Sequence, residues 1–134
     1  MTDLLNHIKL LLKMLKLSEY PSAIADASMA VNDADAQITK LRRLIVQAEN
    51  AADVEVAYAL DLKNDNQRKA RRLEILNSDL SYLATLQSLD EGVAEKSKKM
   101  AELERLRNEF SVIKLETRLA IAQIGVEARE LAGL

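Results

Sequence analysis

Between residues 22 and 62, apolar side chains recur at two interleaved positions of a seven-residue repeat. Ile24, Val31, Ile38, Ile45, Ala52 and Ala59 hold the first position. Ala27, Ala34, Leu41, Ala48, Glu55 and Leu62 hold the second, three residues on. Glu55 alone breaks the apolar set. The pattern is an a/d seam of a left-handed coiled coil, with β-branched residues at most first positions and alanines that let a partner helix come close. A helix over 22–62 would be roughly 60 Å long. A second long pattern begins near Tyr82. Leu86, Leu89, Val93, Lys96, Met100 and Leu103 follow it at alternating spacings, and a three-residue step then leads to Leu106. Phe110, Ile113, Thr117, Ala120, Ile124, Glu127 and Leu131 continue the row. The short step at 103–106 reads as a local overwinding, and Gly92 and Gly125 read as bends or close helix contacts.

Residues 3–18 form another helical pattern. Asn6, Lys9, Lys13 and Lys16 make one narrow polar stripe, and the other faces carry Leu, Ile or Met. Such a helix must bury most of its surface. Pro21 disfavours a helical Tyr20, so a break is expected at 18–22. Asn64-Asp65-Asn66 is a turn and cap cluster, and Asn64 with Gln67 resembles a capping box. A short helix over 66–77 follows, and Asp79 suits the N-cap of the next. The expected organisation is an N-terminal amphipathic helix and break at 1–21, then a helical hairpin over 22–134. That hairpin comprises a long helix at 22–62, a short basic helix at 66–77 and a long helix at 79–132. The fold class is all-α: an elongated antiparallel helical hairpin with coiled-coil packing and a short N-terminal amphipathic helix.

Composition narrows the chemistry. Only three glycines and one proline occur, and aromatic residues make up 3%, which leaves little material for strands. No cysteine is present, which excludes thiol catalysis and disulfides and fits a cytoplasmic protein. No stretch is long enough to span a membrane, and lysines interrupting residues 4–17 argue against a secretory signal. Lysines beside leucines also suit a membrane-surface helix. This one is apolar further round than such helices, so packing on protein is favoured. Residues 22–66 carry four cations against eight carboxylates, an acidic middle in a chain of net charge −2.

Catalytic and cofactor constellations do not assemble. His7 is the single histidine and completes neither a metal set nor a triad. The Glu-x-x-His motif of di-iron bundles is missing, and the isolated glycines form no phosphate loop. The expectation is a non-enzymatic protein with no cofactor. Arg68, Lys69, Arg71 and Arg72 form the most functional-looking cluster. Cations at a helix start oppose its dipole, which hints at a partner: phosphates, or an acidic protein face. The plainer alternative is pairing with the acidic helix at 22–62. Single-strand binding would need aromatic platforms, and few aromatic residues are available.

From Asn64 onward the sequence resembles a family of small helical proteins of bacteriophages and prophages. The matching pieces are Asn64-Asp65-Asn66-Gln67-Arg68-Lys69-Ala70, then Asp79 and Tyr82. Further on they are Leu103-Glu104-Arg105-Leu106-Arg107-Asn108-Glu109-Phe110-Ser111-Val112, Lys114-Leu115-Glu116 and Arg118. They span about half of the chain. The resemblance implies an accessory role in phage recombination or in defence against host nucleases, in the host bacterial cytoplasm. The resulting expectation is a chain that binds a protein partner, such as a host nuclease or a CRISPR effector; the apolar surface that a two-helix hairpin leaves exposed adds the expectation of a homodimer. Its binding residues would be Arg68, Lys69, Arg71 and Arg72, or Lys9, Lys13 and Lys16. Direct nucleic-acid binding and a structural scaffold or virion role are the alternatives.

Overall fold

A computed structural model describes residues 2–133; Met1 and Leu134, the outer limits of the two expected segments, lie outside the described residues. Three helices follow in order, α1 (Thr2–Ala57), α2 (Asp65–Ser78) and α3 (Leu80–Leu131), with no strand among the described residues. The all-α class is as expected. The chain divides into two compact units: Met1–Ala30 with Lys99–Leu134, and Val31–Lys98.

The expected break at 18–22 does not occur. Pro21 lies inside α1, and the separate N-terminal helix is simply the first part of that helix. Proline removes one backbone hydrogen bond, but its fixed φ suits a helix, and packing can outweigh the loss. A covered row here runs through Asn6, Leu10, Lys13, Leu17, Tyr20, Ile24 and Ala27, spaced four and three apart straight through the proline. Tyr20, just before it, is buried and stacks on Phe110 with ring centroids 5.7 Å apart. In this first unit, Leu103, Leu106, Phe110, Ile113, Thr117, Ala120 and Ile124 are the covered face of α3. Tyr20 meets Glu109 and Phe110 while Lys13 meets Glu116, so the helices run antiparallel.

In the second unit, Ile38, Leu41, Ile45, Ala52, Val56 and Leu76 are buried. Asp35 pairs with Lys96 at 2.6 Å, and Glu49 accepts from the Tyr82 hydroxyl at 3.2 Å, again an antiparallel pairing of α1 with α3. Glu55 faces solvent and Val56 takes the seam position in its place. α1 stops at Ala57 rather than at 62, because the segment before the next cap is spent on the turn. The box at Asn64 forms with one change. Asn64 Oδ1 accepts from Gln67 N at 2.9 Å, and Gln67 Oε1 accepts from Lys63 N at 2.7 Å, one residue before the usual donor. Asp79 Oδ1 accepts from Tyr82 N at 3.1 Å and so caps α3.

The expected register of α3 needs one correction. Gly92 and Lys99 lie on the covered face, whereas Val93 and Met100 are exposed. The two consecutive three-residue steps fall at 86–89–92 instead of at 100–103–106. Gly92 admits a close approach: a Cβ built there would lie 3.6 Å from Ile38 Cγ1 and 3.9 Å from Leu41 Cδ1. Val93 looked like the seam residue because it is larger, but at this position close approach fills the space.

Candidate functional site

The basic cluster on α2 is largely engaged within its own unit. Arg72 Nε lies 2.6 Å from Asp53 Oδ1, and Arg72 Nη2 lies 3.9 Å from Glu49 Oε2. The hydrogen bond to Asp53 chiefly raises the pKa of Arg72. Arg68 sits 3.5 Å from Asp65, and Arg71 sits 3.1 Å from Glu74. Lys69 is exposed beside them. Of the four, Arg72 pairs with acidic residues of α1, whereas Arg68 and Arg71 pair within α2.

The three lysines of α1 do not form one site. Lys13 is half-buried and reaches Glu116 Oε2 at 3.8 Å. Lys9 and Lys16 are exposed. Lys16 borders an open groove of about 640 Å³, which also takes in Tyr20, Arg105, Asn108, Glu109 and Val112. Arg105 dominates this groove. Its Nε donates to Glu102 Oε2 at 2.9 Å, and its Nη1 pairs with Glu109. Those bonds raise the pKa of Arg105, and the same contact holds the Glu102 carboxyl below its usual range. The Tyr20 hydroxyl donates to Glu109 Oε2 at 3.1 Å. Burial first, and then that bond, push the pKa of Tyr20 upward. Lys114 Nζ sits 4.5 Å above the centre of the Phe110 ring. These contacts favour a charged Arg105, a charged Glu102 and a neutral Tyr20 at neutral pH. The arrangement clamps α1 to α3, and Arg105 already has its anions. His7 Nδ1 donates to the Asp3 carbonyl at 2.5 Å. No group of three or more His, Cys, Asp or Glu that could hold a metal ion occurs among the described residues.

The most distinctive surface of the first unit is apolar. On α1, Leu4, Leu5, Ile8, Leu11, Leu12 and Leu15 are 46–66% exposed. Leu4, Ile8, Leu11 and Leu15 form a row turned roughly 160° around the helix from the covered row and away from α3, with Leu5 and Leu12 on its flank. On α3, Val112, Leu115, Leu119 and Val126 are 49–62% exposed, with Ala122 completing their spacing. They also sit two residues from the covered row and face away from α1. Each helix of this unit therefore carries two heptad rows, one on the shared seam and one outward. The leucine-rich pattern of residues 3–18 carried a signal for this, because such a helix is apolar on more faces than one neighbour can cover. The outward row of α3 was hidden among ordinary flank positions.

No helix among the described residues is long and apolar enough to cross a membrane. No protein-family model, no curated protein and no solved structure matches this chain.

Proposed function

We infer that the chain is a non-enzymatic interaction protein that engages a protein partner through the outward apolar surface of its first unit. The observation that carries this reading is the outward row on α3, Val112, Leu115, Leu119, Ala122 and Val126, matched by a second outward row on α1. Monomers rarely expose contiguous apolar patches beyond a few hundred Å², and larger ones mark interaction sites. Heptad spacing is the pattern that an amphipathic helix of another protein reads. The five residues of the α3 row are themselves uncharged, and three of the four cations at 68–72 already have a carboxylate within reach. Direct nucleic-acid binding is thus the weaker reading.

The phage resemblance supplies the finer form of the proposal. The partner is a protein of recombination or host defence, and the chain works by covering the nucleic-acid-binding surface of a host nuclease or CRISPR effector. The test is titration of the purified chain into DNA cleavage by a CRISPR effector and by a host exonuclease. The expected result is stoichiometric loss of cleavage and a co-eluting complex, both abolished by Leu115→Glu with Leu119→Glu. Unaltered cleavage together with no complex would remove the reading.

A further inference from the structure

We propose that the outward row of α1 is the seat of a second copy of this chain, paired antiparallel through Leu4, Ile8, Leu11 and Leu15. The inference rests on the interaction reading above and assigns α1 its own occupant, distinct from the partner of α3. Four features of the row point to self-pairing.

First, the row reads the same in both directions. Its steps are four, three and four, so an antiparallel copy sets Leu4 against Leu15 and Ile8 against Leu11 in one register. A two-fold interface requires this self-complementarity. Second, the row holds no charge, so two identical faces meet without like-charge repulsion. Lys9 and Lys16 stand at its edge beside Leu5 and Leu12, where lysine stems can carry their heads to water.

Third, the row has a defined C-terminal end. Ser18 and Ser22 occupy the next positions and stop it, so sliding by a heptad loses apolar contact. Fourth, the area is of the order that a stable pairing needs. Six large side chains, each about half exposed or more, with Met14 beside them at 48%, amount to several hundred Å² per copy. That approaches the ~800 Å² per partner of a standard stable interface. The first unit has two helices, and a second copy supplies the additional helices that a bundle needs around its core.

The test combines mass and crosslinking on the full chain. Sedimentation equilibrium should give a dimer for the natural sequence and a monomer for Leu11→Glu with Leu12→Glu, at unchanged helical circular dichroism. The chain has no cysteine, so introduced thiols report alone. Leu4→Cys mixed with Leu15→Cys should oxidise to a crosslinked dimer. Leu4→Cys by itself should not, because antiparallel pairing separates its two thiols by roughly 16 Å along the helix, beyond disulfide reach. A monomer at every concentration, a Leu4→Cys homodimer, or an assembly that survives the Leu11 and Leu12 changes but not Leu115→Glu would each overturn the proposal. A monomeric chain that still inhibits a nuclease would leave the function standing, and a dimer that binds no nuclease would remove the function while the pairing holds.

Discussion

In the unit formed by residues 31–98, α1 and α3 are joined by α2. Ile38, Leu41, Ile45, Ala52, Val56 and Leu76 are buried there, and Arg72 ties α2 to Asp53. In the unit that holds the start of α1 and the end of α3, two helices stand without a third. Only Tyr20, Leu103 and Thr117 are buried to that degree among the described residues. The same helix pair thus makes a closed core where a third helix is available and an open one where it is not. The open unit compensates with polar clamps: the stack of Tyr20 on Phe110, the Tyr20–Glu109 bond and the Lys13–Glu116 pair. An apolar helix whose own chain covers only one face has its other face available for binding.

The largest expected effect contrasts the two environments directly. Ile38→Ala should cost about 2–4 kcal/mol in urea unfolding, through lost burial and an unfilled space. Leu11→Ala, on the outward row, should change the stability of the monomer by less than about 0.5 kcal/mol. Equal losses would break the distinction between a closed and an open unit.

Pro21→Ala should raise stability by about 1–3 kcal/mol, because it restores a hydrogen bond inside a helix that already runs through the position. A decrease would mean that the proline is needed for the packing of Tyr20. Gly92→Ala and Gly125→Ala should each add up to about 1 kcal/mol by thermal unfolding. The first places a methyl at ordinary contact distance and the second places it in open space. A loss at Gly92 alone would show the closed unit to be packed to its limit.

The tyrosines sharpen the comparison by pH. Tyr20 and Tyr82 both have pKa values raised above the ordinary ~10, by burial and then by bonds to Glu109 and Glu49. A raised pKa in the folded state means that the stabilising term is fully present below the unfolded value and is lost as pH climbs through the folded value. Spectrophotometric titration should therefore place both phenols above the free-tyrosine range, with stability falling there. The smallest effect concerns Arg72→Ala, whose destabilisation at low ionic strength should fade at about 1 M salt, where the Debye length is ~3 Å. A salt-independent loss would mean that the arginine stem, and not its charge, holds α2 in place.

Much of the covered face of α1 was legible, because it needs only periodicity. Ile24 through Ala52 are covered as their spacing requires, and the one polar exception, Glu55, is the position that the structure passes over for Val56. The capping signals at Asn64 and Asp79 were equally local and equally readable. Pro21 misled because a backbone preference near one residue competes with packing over several turns. In α3, Val93 and Met100 misled because residue size stood in for proximity, while Gly92 is on the seam through its smallness. Arg72 could be read either way, since its carboxylate partners lie 19 and 23 residues back along the chain. The outward rows are legible only once the inner ones are known.

The paired tyrosine hydroxyls have an optical consequence. The chain has no tryptophan and three tyrosines, so its ultraviolet emission comes from Tyr20, Tyr58 and Tyr82. A carboxylate held at a phenol hydroxyl quenches that emission. Glu109 does this for Tyr20 at 3.1 Å and Glu49 for Tyr82 at 3.2 Å, one in each unit. With Tyr58 and one of the pair replaced by phenylalanine, the remaining ring brightens when its own unit opens. The order in which the two units open can then be followed in real time, with no dye attached.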